Sequence, residues 1–95
     1  MTLEELYKII EDRKKNMPKD SYVASLFKDG SDSIIQKIGE EATEVVIAAK
    51  NENKQRITSE VADLLFHTLV MLSVFNINPK DVLNQLEKRS KSKVE

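Results

Sequence analysis

The sequence predicts an all-α protein, a helical bundle of about five helices in which two long helices run antiparallel. Apolar residues recur at spacings of three and four through most of the chain, which is the period of an amphipathic helix. No segment shows the apolar–polar alternation that is typical of a strand. Capping residues and helix breakers divide the chain at intervals that fit short connections between helices.

The first two predicted helices are short, and their ends carry specific signals. Thr2 and Glu5 have the spacing of a capping box, in which each side chain bonds the backbone N–H of the other residue. A loop that contains a proline follows this helix. Asp20 or Ser21 can cap the second helix, and Gly30 ends it.

The two long helices form the centre of the predicted bundle. The first begins at Ser31 or Asp32. Its predicted apolar seam advances by alternating steps of three and four: Ile35, Ile38, Ala42, Val45 and Ala49. The polar connection at 50–53 is short, so the next helix, at about 54–75, should return antiparallel.

The last predicted helix begins with Asn78 as its cap and Pro79 at its first position. Proline is favoured there because the N–H that it lacks would have no partner inside the helix. We expect the buried face of this helix to consist of Val82, Leu83 and Leu86.

Composition and charge restrict the class of protein. Ninety-five residues are enough for one domain with a modest core, and we expect that domain to span residues 1–95. The net charge of −1 gives no sign of a nucleic-acid partner. Cysteine is absent, which excludes a disulfide framework and fits a cytoplasmic location.

Two observations argue against a targeting or membrane segment. The N-terminus has no basic stretch followed by an apolar one, so we expect no signal peptide. The longest apolar run, 61–75, is interrupted by Asp63 and His67 and is shorter than the roughly 20 residues that a span needs. We therefore expect a soluble protein with no membrane contact.

Two acidic signatures lie inside the apolar sequence of the long helices. Glu41 and Glu44 are three residues apart on the first helix, as are Glu60 and Asp63 on the second. Residues at this spacing share a helix face, so four carboxylates project where apolar packing would be expected. Their mutual repulsion and the cost of desolvating them predict a cation between them.

A site made only of carboxylates suits a hard ion, Mg²⁺ or in its place Mn²⁺, which can clamp phosphate oxygens and activate a water molecule. Two other kinds of site are excluded. The chain has no glycine-rich phosphate loop of the P-loop type. Ferritin-like bundles need a Glu-x-x-His motif on two helices, but the only histidine, His67, follows Leu64 at that spacing.

The acidic pattern, with fifteen residues between its two halves, resembles the E-x-x-E…E-x-x-D signature of the all-α nucleoside triphosphate pyrophosphatases of the MazG type. Within that group the chain is similar to the phosphoribosyl-ATP pyrophosphohydrolase family over about residues 4–90. The similarity includes Ser21-Tyr22, Gly30 and the run at 37–50, which contains Gly-Glu-Glu-Ala-Thr-Glu. Phe66 stands where tyrosine is frequent in the family, a change that removes a hydroxyl but no expected ligand.

The resemblance implies hydrolysis of the α–β phosphoanhydride of phosphoribosyl-ATP, which gives phosphoribosyl-AMP and pyrophosphate in the second step of histidine biosynthesis. It also implies a set of residues that bind the metal directly: Glu41, Glu44, Glu60 and Asp63. Catalytic roles would fall to Glu41, Glu44 and Glu40, the last as a further ligand or as the base that orients water. The family acts as a homodimer, which fits the apolar residues nearly all the way round 45–49 and 61–75.

Residues outside the acids are expected to bind the nucleotide substrate. Lys28, Lys37 and Lys50 would contact phosphates, and Ser21 and Tyr22 would lie near the mouth of the site. His67 follows Asp63 by one helical turn, so we expect it to orient that carboxylate.

Two other functions stay open from the sequence. A broader pyrophosphatase acting on free nucleoside triphosphates would share the metal site and differ in its base and ribose pocket. A non-catalytic helical dimerisation module would have no property that depends on Mg²⁺, and the placement of the acids argues against it.

Overall fold

The computed structural model describes residues 1–90, which form five helices: α1 (Leu3–Asn16), α2 (Tyr22–Asp29), α3 (Ser31–Lys50), α4 (Lys54–Val74) and α5 (Pro79–Lys88). No strand occurs within this range. The two long helices, α3 and α4, form a hairpin through the turn at 51–53 and make the most extensive helix–helix contact. The predicted all-α class is confirmed.

Polar side chains fix where the helices begin. The backbone N–H of Glu5 donates to Thr2 Oγ1 at 3.1 Å, and that of Thr2 donates to Glu5 Oε1 at 3.0 Å. This is the predicted capping box. Ser21, Asn53 and Asn78 accept backbone hydrogen bonds as the caps of α2, α4 and α5. Each cap satisfies an N–H group that has no partner inside its helix.

The hydrophobic core lies at one end of the α3–α4 hairpin. Its fully buried apolar side chains come from the four helices α1 to α4: Ile10, Leu26, Ile34 and Val70. Ile34 stands near the start of α3 and Val70 near the end of α4, where α1 and α2 pack against the hairpin. Few side chains beyond this end are fully buried, so the acidic signatures lie outside the main core.

The predicted apolar seam of α3 is wrong at its two ends. Ile35 is 45% exposed and Ala49 is exposed, whereas their neighbours Ile34 and Ala48 are buried. The middle of the seam is at least half-buried as predicted, and the stripe that packs within the chain is turned from the predicted one by less than one residue: Ile34, Ile38, Glu41, Val45 and Ala48. Apolar residues cover nearly the whole circumference of this helix, and their period alone could not choose between the two stripes.

The predicted buried face of α5 is also wrong within the described chain. Val82, Leu83 and Leu86 are exposed, and the buried residue of this helix is Pro79. An apolar groove of about 120 Å³ lies between α5 and the end of α4, and Val82 and Leu83 are among the residues that line it. Its lining includes Leu65 of α4 and Leu83 of α5.

A polar network fastens α1 to the C-terminal end of α4. The fully buried hydroxyl of Ser73 donates to Glu11 Oε2 at 2.9 Å, and Lys14 Nζ donates to the Ser73 carbonyl at 2.7 Å. Desolvation raises the pKa of Glu11, but hydrogen bonds from Ser73, Lys14 and Tyr7 outweigh it, so the pKa is lowered. Burial, followed by the hydrogen bond to Glu11, raises the pKa of Tyr7 to about 12.

Within residues 1–90, α4 is long and apolar enough to cross a membrane by length and composition. The helix has 21 residues and is longer than the apolar run at 61–75, and 28% of its most apolar window is buried. The core helix of a soluble protein passes the same test. The position of Glu60 and Asp63 near the middle of α4 makes this weak evidence for a span, because carboxylates are costly at the centre of a bilayer.

Candidate metal centre

Three carboxylates from the two long helices converge beside the core. Glu41 of α3 meets Glu60 and Asp63 of α4, and one carboxylate oxygen from each lies within 4.8 Å of the other two. Glu60 and Asp63 are three residues apart and therefore neighbours on one helix face. Because α4 returns antiparallel beside α3, this face meets Glu41.

Among the three acids, Glu41 is the one whose pKa its surroundings clearly shift. It is half-buried, on the stripe of α3 that carries Ile38 and Val45 one turn away on either side. Desolvation by burial raises its pKa, and the negative charges of Asp63, Glu60 and Glu44 raise it further, while His67 opposes them. The structure thus keeps an acid where its charged form is disfavoured, which a bound cation would relieve.

Glu44 lies one turn beyond Glu41 but outside this cluster of three. Its Oε2 accepts a hydrogen bond from Arg56 Nη2 at 3.1 Å, an ion pair that joins α3 to α4. Arg56 lies one turn before Glu60 in the sequence. Helical spacing alone does not predict which residue of α3 it pairs with. Of the four expected ligands, three therefore converge, and the fourth, Glu44, pairs with Arg56.

His67 is buried, and its ring joins two helices. Nδ1 lies 2.8 Å from the Asp63 backbone carbonyl, and Nε2 lies 3.3 Å from the Tyr22 hydroxyl. A carbonyl only accepts, so we assign a proton to Nδ1, which donates to Asp63, and Nε2 has the Tyr22 hydroxyl as its hydrogen-bond partner. The contact expected between His67 and the Asp63 carboxylate is made to the Asp63 backbone instead.

Tyr22 rests on a small aromatic cluster next to the acids. Its ring stacks on Phe66 with centroids 6.1 Å apart and an angle of 23°. Phe66 also meets His67 edge-on at 5.1 Å. The ring of Tyr22 is held between α2 and α4 although the residue is 57% exposed. The sequence does not predict this stack, because the stack depends on how α2 is placed over α4.

The other predicted site residues are more scattered. Lys37 is half-buried one turn before Glu41, and Glu40 is exposed next to Glu41 in the chain. Ser21 caps α2 and, together with Lys28, lines a cavity of about 250 Å³ that contains none of the acids. Lys50 is exposed at the end of α3, nine residues or about 13 Å along the helix from Glu41.

Comparison with known proteins decides the family. A sequence profile described as "Phosphoribosyl-ATP pyrophosphohydrolase" matches residues 3–90. The chain belongs to the phosphoribosyl-ATP pyrophosphohydrolase family. The resemblance inferred from the acidic motif is thereby confirmed, and it extends over every helix of the fold.

Relatives with this activity in their names align over nearly the whole chain. A phosphoribosyl-ATP pyrophosphatase of Geobacter sulfurreducens is 53% identical over 87 residues, which are 92% of this chain and 81% of the relative. One from Sulfolobus acidocaldarius is 45% identical over 89 residues, 94% of each chain. The histidine biosynthesis bifunctional protein HisIE of Caldanaerobacter subterraneus is 49% identical over 89 residues, 94% of this chain but 43% of the relative.

Proposed function

We propose that this chain hydrolyses the α–β phosphoanhydride of phosphoribosyl-ATP to phosphoribosyl-AMP and pyrophosphate, the second step of histidine biosynthesis. Membership of the family and the names of the relatives support this reaction. The observation that carries the proposal is the convergence of Glu41, Glu60 and Asp63, with carboxylate oxygens within 4.8 Å of one another. An anhydride that carries several negative charges needs a cation at the acidic surface that would receive it.

The carboxylate cluster fits Mg²⁺ by its chemistry and by its size. All three donors are oxygens, which magnesium and manganese prefer. Oxygens on opposite sides of an octahedral Mg²⁺ lie about 4.2 Å apart and neighbouring ones about 3 Å apart. The three carboxylates, whose oxygens lie within 4.8 Å of one another, would therefore draw together on binding the ion. Burial, and after it the neighbouring carboxylates, raise the pKa of Glu41, so a bound cation would stabilise its charged form. We therefore propose Glu41, Glu60 and Asp63 as ligands of Mg²⁺, with Mn²⁺ as a substitute, and Glu44 as a fourth ligand.

When bound, the metal would neutralise phosphate charge and lower the pKa of a bound water molecule. The residues of the chain would hold and orient the reactants. Glu41, on the core-facing stripe, would fix the position of the metal relative to the helices. Glu40 is exposed beside the cluster, and we propose that it orients the attacking water or supplies a further ligand.

Basic and aromatic residues around the cluster would receive the rest of the substrate. Lys37, one turn from Glu41, is the best placed of the lysines to bind a phosphate. Tyr22 presents an exposed ring edge beside His67, which keeps the hydroxyl in place. We propose Ser21 and Lys28, in their shared cavity, for more distant phosphate contacts, and Lys50 for the periphery.

We also propose that the chain acts as a homodimer, as one domain spanning residues 1–95, and in the cytoplasm. Large apolar side chains exposed on α3 and α4 support the dimer, among them Ile35, Val46, Ile47 and Leu65. Such a surface on two adjacent helices is typical of an interface. A self-complementary contact between two copies would cover both hairpins.

A comparison of substrates tests the proposed function. Pyrophosphate release is measured with Mg²⁺ on phosphoribosyl-ATP and, in parallel, on ATP, dCTP and dUTP. We expect fast turnover of phosphoribosyl-ATP and poor turnover of the other three, because the pocket that receives the phosphoribosyl group would discriminate among substrates that a metal site in contact only with phosphates cannot distinguish. Comparable rates on all four substrates would favour the broader pyrophosphatase.

A further inference from the structure

Arg56 and Glu44 close one edge of the acidic cluster. Arg56 precedes Glu60 by one turn on α4, and Glu44 follows Glu41 by one turn on α3. Their ion pair, 3.1 Å between Nη2 and Oε2, therefore joins the two helices one turn away from the three converging carboxylates. Both side chains are about half exposed, 49% for Arg56 and 44% for Glu44.

We propose that this ion pair is an exchangeable latch and that Arg56 is a substrate-binding residue. In the free chain, Arg56 neutralises Glu44. When metal and nucleotide bind, Glu44 turns to the metal, and the released guanidinium binds a phosphate of the leaving pyrophosphate. This inference rests on the proposed function and adds a partner exchange at the same site.

The exposure of the pair makes the exchange easy. An ion pair between exposed side chains contributes little to stability, because water solvates both charges when they separate. The two new contacts are stronger. A carboxylate beside a divalent cation faces a larger charge, and a guanidinium binds phosphate through two parallel hydrogen bonds. Glu44 and Arg56 thus both gain by changing partners.

The backbone of Arg56 is fixed while its side chain is free to swing. Its N–H donates to the side chain of Asn53, the cap of α4, at 3.1 Å. The guanidinium has the Glu44 carboxylate as its partner and no contact with Glu60 or Asp63. A long side chain on an anchored first turn can therefore move from Glu44 to a phosphate without disturbing the helix.

The first test is the affinity of Mg²⁺ alone, measured by calorimetry without nucleotide. Arg56→Gln should bind Mg²⁺ about threefold to fivefold more tightly than the parent, since Glu44 no longer has to leave its partner. The matched control is Lys54→Gln, which removes an exposed positive charge two residues away. If Lys54→Gln increases the affinity for Mg²⁺ as much as Arg56→Gln does, the effect comes from the loss of any nearby positive charge, and the latch is overturned.

A double variant separates the latch from electrostatics. In a Glu44→Gln background, Arg56→Gln should leave the affinity for Mg²⁺ unchanged, because no carboxylate remains to be released. Tightening by Arg56→Gln that persists in this background overturns the proposal. This measurement does not require activity, so it stands apart from the test of the reaction.

The second arm follows the nucleotide. At saturating Mg²⁺, Arg56→Gln should raise the KM for phosphoribosyl-ATP on the order of tenfold, the size expected for losing a charge-assisted hydrogen bond. Arg56→Lys should recover part of the loss, and Lys54→Gln should behave as the parent. If the parent is active and Arg56→Gln has an unchanged KM, the role of Arg56 is overturned while the proposed function stands. A parent that does not hydrolyse phosphoribosyl-ATP would overturn both.

Discussion

The hydroxyl of Tyr22 on α2 lies 3.3 Å from Nε2 of His67 on α4, and the other ring nitrogen of His67 bonds the backbone carbonyl of Asp63. A short helix is thereby connected to the backbone of an expected metal ligand. The link sits beside the acidic cluster rather than within the main core, so its loss should loosen the site before it unfolds the bundle.

Replacing Tyr22 by phenylalanine tests this link. The ring can still stack on Phe66, but the buried Nε2 of His67 loses its partner, which should cost about 1–2 kcal/mol of unfolding free energy. Urea denaturation gives the value. The control is Tyr22→Phe in a His67→Phe background, where the same change should cost almost nothing. Equal stability of the Tyr22→Phe variant and the parent would show that this hydrogen bond does not contribute to the unfolding free energy.

The raised pKa of Glu41 makes the stability of the metal-free chain depend on pH. Folding raises this pKa, so the folded state binds more protons than the unfolded state in the range between the two values. Stability should therefore fall as the pH rises from the ordinary carboxyl range through the folded pKa. In EDTA at pH 7.5, Glu41→Gln should be more stable than the parent by on the order of 1 kcal/mol, and the gap should close in acid.

Thermal and urea melts of Glu41→Gln at pH 4 and 7.5 measure this gap. Glu87→Gln is the matched control, because Glu87 is exposed on α5 and lies outside the cluster. Adding Mg²⁺ should stabilise the parent in proportion to the logarithm of its concentration above the dissociation constant, and Glu41→Gln much less. A Glu41→Gln variant that melts below the parent in EDTA would mean that this acid supports the fold.

The network at Ser73 predicts the opposite pH dependence. Folding lowers the pKa of Glu11, so its contribution is present above the unfolded pKa and is lost as the pH falls through the folded value. Ser73→Ala removes a buried donor to this carboxylate and should cost about 1–3 kcal/mol at neutral pH and less in acid. Ser59→Ala on the exposed side of α4 serves as the control. If Ser73→Ala lowers the unfolding free energy equally at neutral and acidic pH, the contribution of Ser73 does not depend on the charge of Glu11.

The exposed apolar side of α3 predicts a dimer that a single charge can break. Val46 is 56% exposed, and it lies three turns from Ile35 on one side of the helix. Sedimentation of the parent at micromolar concentration should give twice the chain mass of 10.9 kDa. Val46→Glu should sediment as a monomer, while Lys8→Glu on α1 should not change the mass. A parent that sediments at the mass of a single chain would contradict the dimer.

The sequence was sufficient for the features that depend on local chemistry. The capping box at Thr2, the end of α2 at Gly30 and the turn between the long helices follow from residues close together in the chain. The acidic residues spaced by three on each of the two antiparallel helices also predict that carboxylates meet between them, and Glu41, Glu60 and Asp63 do converge.

Features that depend on placement between helices were not predictable. The apolar residues of α3 and of α5 have the same period whether they meet their own chain or another surface. The period therefore predicts a buried face for Ile35 and Leu86, although both are exposed. Whether Glu44 joins the carboxylate cluster or pairs with Arg56 depends on the positions of two long side chains across the hairpin. Helical periodicity contains no information on that choice.

The most direct test of the central claim, that these carboxylates hold a metal for pyrophosphate release, is one assay of two proteins. Pyrophosphate formation from phosphoribosyl-ATP is followed for the parent and for Glu60→Gln, each with Mg²⁺ and with EDTA. We expect rapid release by the parent with Mg²⁺ and none in EDTA, and a loss of at least a hundredfold in Glu60→Gln, about 2.7 kcal/mol of transition-state stabilisation. Release by the parent in EDTA at the same rate, or full activity of Glu60→Gln, would contradict the claim.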